Sequence, residues 1–83
     1  MSRRVLVPLA EGFEEIEAIT PIDVLRRAGA DVTVASVRGL PVKGAHGITV
    51  QAEMTLGDCA GMDFDLIVLP GGMPGAAHLA ESG

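Results

Sequence analysis

The chain has one cysteine, Cys59, and neither tryptophan nor tyrosine. A single cysteine excludes an intrachain disulfide and fits a reducing compartment, so the expected location is cytoplasmic. Two phenylalanines in 83 residues leave no aromatic platform on which nucleobases could stack. Basic residues are also scarce, six Lys and Arg against eleven Asp and Glu, for a net charge of −5. Phosphate backbones require clustered Lys and Arg, so nucleic acid is not expected as an obligatory ligand. No apolar run reaches the roughly 20 residues of a membrane span, and no membrane partner is expected. Met1-Ser2-Arg3-Arg4 leads into an apolar run interrupted by Pro8 and Glu11, with no small-residue cleavage site, which reads as a strand rather than a signal peptide.

What is present is a folded globular chain, 48% hydrophobic and 20% charged, with room for one domain at most. Val5 to Ala10 is nearly continuous apolar sequence, as in a central parallel strand covered on both faces. Pro8 removes one ladder donor, so a bulge or one unpaired side is expected there. Gly12 permits a sharp turn, after which a helix is predicted from Glu14 or Glu15 through Arg27. Ile16, Ile19, Ile22, Leu25 and Ala28 are assigned to its buried face by their spacing of three. Pro21 predicts a kink or break. Arg26 and Arg27 complement the helix dipole, and Gly29 suits the position after the cap. Asp31 to Val37 is the second strand, completing a right-handed βαβ unit. Val42-Lys43 and Ile48 to Val50 predict a short antiparallel flap. Gln51 to Met62 reads as a polar connection with at most one helical turn, near Leu56 and Asp58. Phe64 to Pro70 predicts a strand buried on both faces, followed by Gly71-Gly72 and a helix opening at Pro74.

In an open α/β sheet, ligands gather beyond the carboxyl ends of the strands. Two stretches fall there. The first is the acidic turn. Glu14 and Glu15 read as solvated first-turn charges favoured by the helix dipole. Glu17 is expected to face inward, where burial favours its protonated form and the helix N-terminus its charged form. The second is Leu69-Pro-Gly-Gly-Met-Pro-Gly75, whose glycines let backbone N–H groups approach a ligand. It is neither the GxGxxG pattern nor a P-loop. Cys59 beside Asp58 lacks an adjacent cation and reads as an incidental thiol. His46 and His78 have no partner at metal-ligand spacing, so no metal site is expected. Asp23 and Arg27 read as an i, i+4 ion pair.

Leu6-Val-Pro-Leu-Ala-Glu-Gly-Phe-Glu-Glu-Ile-Glu17, Pro21-Ile-Asp-Val-Leu-Arg-Arg-Ala-Gly29, Val32-Thr-Val-Ala35 and Phe64-Asp-Leu-Ile-Val-Leu-Pro-Gly-Gly72 together closely resemble the ThiJ/PfpI superfamily. Within it they match the branch of the Parkinson's-associated protein deglycase and its bacterial YajL-like relatives. The resemblance implies a flavodoxin-like α/β fold, a doubly wound and mostly parallel sheet sandwich. Residues 1–83 would be the N-terminal half of one such domain, completed by a C-terminal half and assembled as a homodimer. It implies a cysteine-dependent glyoxalase or protein deglycase without a cofactor, acting on small dicarbonyls or glycated proteins. The alternatives are a redox-sensing chaperone and a peptidase or amidase relative.

The family's reactive cysteine and helper histidine follow the Gly-Gly motif, outside these residues, so Cys59 does not match the nucleophile. Glu17 matches the glutamate that hydrogen-bonds the cysteine sulfur. Gly71 and Gly72 match backbone amides that stabilise an oxyanion. Arg27 matches an interface arginine of an anion pocket, Glu14 and Glu15 line the pocket mouth, and His46 stands where relatives often carry a flap arginine. Gln51 replaces an interface cysteine of some relatives.

Overall fold

A computed structural model describes residues 3–71. Strand β1 (Arg4–Leu9) runs into a turn at Gly12 and then helix α1 (Glu15–Arg27), followed by β2 (Asp31–Ser36). A two-stranded flap, β3 (Pro41–Lys43) and β4 (Thr49–Gln51), precedes β5 (Met54–Thr55), a single 3-10 turn (Gly57–Cys59) and β6 (Leu66–Ile67). The main sheet is parallel in the order β5-β2-β1-β6, and the flap pair is antiparallel. The predicted helix at Pro74, Gly72 and His78 lie outside the described residues.

β1 and β2 pair without interruption from Arg4–Asp31 to Leu9–Ser36, so Pro8 causes no bulge. The alternation of a parallel ladder explains this. The Leu6 carbonyl accepts from Val68 N–H, on the β6 side, and the Leu9 carbonyl accepts from Val37 N–H, on the β2 side. Pro8 shares the parity of Leu6, so its missing donor falls beside β6, whose pairing with β1 ends at Leu6–Ile67. A prolyl residue is tolerated where no ladder bond is due.

The same alternation divides the core. Val5, Val7 and Leu9 join Val32, Val34, Phe13, Ala18, Ile22, Val42 and Ala52 on the face covered by α1 and the flap. Leu6, Ala35 and Cys59 lie on the opposite face, under Met54, Leu56, Met62 and Phe64 of the connection from β4 to β6. The two crossovers thus cover opposite faces, the doubly wound arrangement of a flavodoxin-like fold. Among the described residues no helix is long and apolar enough to cross a membrane.

Several expectations need correction. Ile16 and Ile19 are exposed (78% and 41%); the buried positions of α1 are Glu15, Ala18 and Ile22, with Leu25 packed beside them. Steps of three each fall about 60° short of a full turn, so a 16-19-22-25-28 stripe wraps around the helix. The 3-4-3 pattern of 15, 18, 22 and 25 stays on one side. Pro21 lies inside α1 without breaking it. The run from Phe64 to Pro70 yields only two strand residues, and Leu66, Ile67 and Leu69 are exposed rather than buried. β6 is one of the two edge strands of the described sheet, and apolar sequence by itself supplies no covering layer. β5, which the sequence did not suggest, adds a parallel edge through Met54 and Thr55. The helix end follows expectation. Gly29 adopts φ +90°, its N–H donates to Arg26, and Ala30 N–H reaches back to Leu25, a Schellman closure.

Candidate functional site

The chain reverses its winding direction between β1 and β6, and their carboxyl ends open onto the crevice where doubly wound folds bind ligands. Two loops meet there. Glu14 N–H donates to the Gly71 carbonyl, and Gly71 N–H donates to Glu17 Oε1, both at 2.9 Å. The first turn of α1 is thereby tied through main chain and side chain to the segment after β6. Gly71 must be glycine for this contact, since a Cβ there would overlap Glu17 Oε1.

Glu17 therefore lies at the strand ends, as predicted, but its side chain is exposed rather than inward-facing. Gly71 is also corrected in part, because its amide is engaged by Glu17 instead of standing free for an oxyanion.

The buried carboxylate is Glu15, expected to be solvated. It enters the turn of the flap and accepts His46 N–H at 2.8 Å and Ile48 N–H at 3.2 Å on Oε2. Its Oε1 lies 2.9 Å from His46 Nδ1. Backbone bonds close the assembly: Gly12 N–H to the Lys43 carbonyl, and Ala45 N–H to the Phe13 carbonyl. Gly44 leaves the space for it, since a Cβ there would lie 2.5 Å from Glu15 Cδ. Burial opposes ionisation of Glu15, yet the bond from the His46 ring and the N–H groups of Glu15, His46 and Ile48 outweigh it and hold the carboxyl down at about 2. His46 is pushed up by its bond to Glu15, then by the charges of Glu14 and Glu15, against a smaller effect of burial.

His46 has no partner at metal-ligand spacing in the sequence, and the fold brings two acidic residues beside it. Glu14, Glu15 and His46 bring ligand atoms within 4.8 Å of one another. The Glu15 oxygens are already filled by N–H donors, and the group lies at a positive helix end, so the arrangement suits a hydrogen-bonded anion better than a bound cation. Glu14 Oε2 lies 3.7 Å from His46 Nδ1 at the solvent side.

Arg27 makes the expected bond to Asp23, at 2.9 Å on the exposed side of α1. Cys59 is buried, and desolvation followed by the charge of Asp58 pushes its thiol up, away from nucleophilic character. The Glu15–His46 clasp has no signal in local spacing, because 31 residues separate its partners. The three glycines between Gly39 and Gly47 mark the tight flap but not what it closes upon.

The DJ-1/PfpI family model matches residues 3–83, and the chain belongs to this family. Protein DJ-1 homolog B of Arabidopsis thaliana is 52% identical over 79 residues, 94% of this chain and 18% of that protein. The glutathione-independent glyoxalase DJR-1.2 of Caenorhabditis elegans is 42% identical over 80 residues, covering 96% and 42%. Deglycase TK1284 of Thermococcus kodakarensis is 38% identical over 69 residues, covering 83% and 42%. Among solved structures, oxidized DJ-1 of Toxoplasma gondii superposes with a TM-score of 0.96 at 44% identity, covering 99% of this chain and 45% of that one. The chain thus spans less than half the length of these relatives.

Proposed function

We propose that residues 1–83 are the glutamate-bearing half of a cysteine-dependent glyoxalase or protein deglycase acting on small dicarbonyls or their protein adducts. The observation that carries this reading is the Glu17 carboxylate fastened by Gly71 N–H at the β1/β6 switch point. Among the described residues its second oxygen has no hydrogen-bond partner, which suits a group that serves an incoming atom. Relatives named as a glutathione-independent glyoxalase and a deglycase support the reaction class.

In this reading the reactive thiolate comes from residues outside the chain and adds to an aldehyde carbon. Glu17 hydrogen-bonds the sulfur, takes up the proton that the thiol loses and returns it to the alkoxide formed by that addition. Gly71 orients Glu17, so the oxyanion role falls to the Gly72 amide. Arg27, Glu14 and His46 border the pocket or the subunit interface. Cys59 takes no part, and no cofactor is needed. The working form is a cytoplasmic homodimer of the complete domain.

The test is Glu17→Gln in the complete protein. Glutamine still accepts from Gly71 N–H, so the fold and the loop contact persist while the proton relay is lost. Methylglyoxal consumption is expected to fall by about 100-fold or more, the usual weight of a general acid. Turnover equal to the parent, with an unchanged melting midpoint, would falsify the assignment.

A further inference from the structure

The outer edge of β2 is closed by side chains over the stretch that β5 does not reach. Asp31 N–H donates to the Arg3 carbonyl and Val37 N–H to the Leu9 carbonyl, so the odd residues of β2 turn their main-chain groups toward β1. By alternation, Val32, Val34 and Ser36 turn theirs outward. β5 serves the end of this edge, where Leu56 N–H donates to the Ser36 carbonyl at 2.7 Å. Its register begins only at Ala35–Met54.

Ahead of that register, Glu53 stands in for a strand. Its N–H donates to the Val34 carbonyl at 2.8 Å, and its Oε1 accepts from Val34 N–H at 3.0 Å. One residue thus supplies a main-chain donor and a side-chain acceptor where a neighbouring strand would supply N–H and C=O. Arg26 reaches across from the last turn of α1. Its Nη2 donates to the Val32 carbonyl at 3.1 Å and to Glu53 Oε1 at 2.7 Å. Both side chains are about half exposed (48% and 47%), where an ion pair adds little to folding stability. Their geometry serves the strand edge rather than one another.

Val32-Thr-Val34 is β-branched, uncharged and free of proline, the kind of edge that templates strand addition when left open. We propose that Arg26 and Glu53 form a cap that closes the β2 edge to strand addition by a second copy of this chain. The copy is the occupant because each chain presents the same β-branched run at the same register. The inference is independent of the catalytic reading, since it involves neither Glu17 nor the switch point.

The test compares Glu53→Ala, Glu53→Gln and Arg26→Ala in the complete protein. Glu53→Ala is expected to speed amide hydrogen exchange at Val34 by about tenfold or more, as local opening loses its acceptor. Its mass by light scattering should rise with concentration beyond that of the parent. Glu53→Gln keeps an acceptor for Val34 N–H and should stay near the parent in both measurements. Unchanged exchange and mass in a natively folded Glu53→Ala overturn the proposal, and so does faster exchange without added association. If Glu53→Ala loses its native circular dichroism, Arg26→Ala decides: association rising with concentration supports the cap, and parent-like mass overturns it.

Discussion

Glu15 and Glu17 stand two residues apart in the first turn of one helix, yet they belong to different regions. Two helical steps rotate a side chain by about 200°, so the two carboxylates leave α1 on nearly opposite sides. Glu15 enters the flap and is enclosed by His46 and Ile48, with every oxygen engaged. Glu17 reaches the β1/β6 switch point, is held on one oxygen by Gly71 N–H, and remains exposed. A carboxylate saturated by donors from its own fold is an anchor. One that is oriented but incompletely engaged can serve a reacting group. Burial alone does not mark the available carboxylate, because the more buried side chain is the one whose oxygens the fold already fills.

This contrast can be broken at its two glycines. A methyl group at Gly44 would lie 2.5 Å from Glu15 Cδ, against a side chain that its hydrogen bonds prevent from swinging away. Gly44→Ala should therefore cost about 1–3 kcal/mol, as overpacking does, read as a lower denaturation midpoint. Gly71→Ala meets the exposed end of Glu17, which has room to move. Its stability should change by less than about 0.5 kcal/mol, as for surface substitutions, while the proposed dicarbonyl turnover of the complete protein drops because Glu17 is displaced. Equal stability losses in both variants would erase the distinction between anchor and working residue.

Acid sharpens the comparison with a smaller effect. Glu15 has its carboxyl pulled down to about 2 in the folded state from an ordinary value of 4.5. Its contribution is therefore fully present above pH 4.5 and is lost as pH falls toward 2. His46 has the opposite sign. Its value is raised above 6.5, so its contribution is present below pH 6.5 and is lost as pH rises through the raised value. Amide exchange at His46 and Ile48 should accordingly be slowest between about pH 4.5 and 6.5 once the intrinsic pH dependence of exchange is divided out. A monotonic profile would separate the flap from these two titrations. The smallest effect is expected at Arg27→Ala, which removes an exposed i, i+4 pair with Asp23. A thermal melt should show a loss of ~0.3–0.5 kcal/mol. A much larger loss would mean that Arg27 has partners beyond Asp23.

Much of this architecture is legible in residue order. The β-branched runs of β1 and β2, the helix between them, the Gly29 closure and the antiparallel flap each follow from local spacing or turn chemistry. The family is carried by motif order. Less legible was the orientation of α1. Its isoleucines at 16 and 19 suggested a stripe that the packed helix exposes, while Glu15 and Ala18 occupy the buried side. β6 reads as a core strand yet lies open, because coverage depends on neighbours rather than on a strand's own hydrophobicity.

By itself, then, the sequence determined β1, α1, β2 and the flap, whose signals lie in local spacing and turn chemistry, but neither β5 nor the shortness of β6. It also determined that Glu17 arrives at the strand ends, because a short turn after β1 leaves the first helical turn nowhere else to go. Only the tertiary structure decided which glutamate is enclosed, what Arg26 and Glu53 hold, and where the missing donor of Pro8 does no harm. The partners of Glu53, Glu15 and Glu17 in these outcomes lie 19 to 54 residues away in the chain. Side chains at such separations meet only after the sheet order is set, and no local periodicity encodes that order.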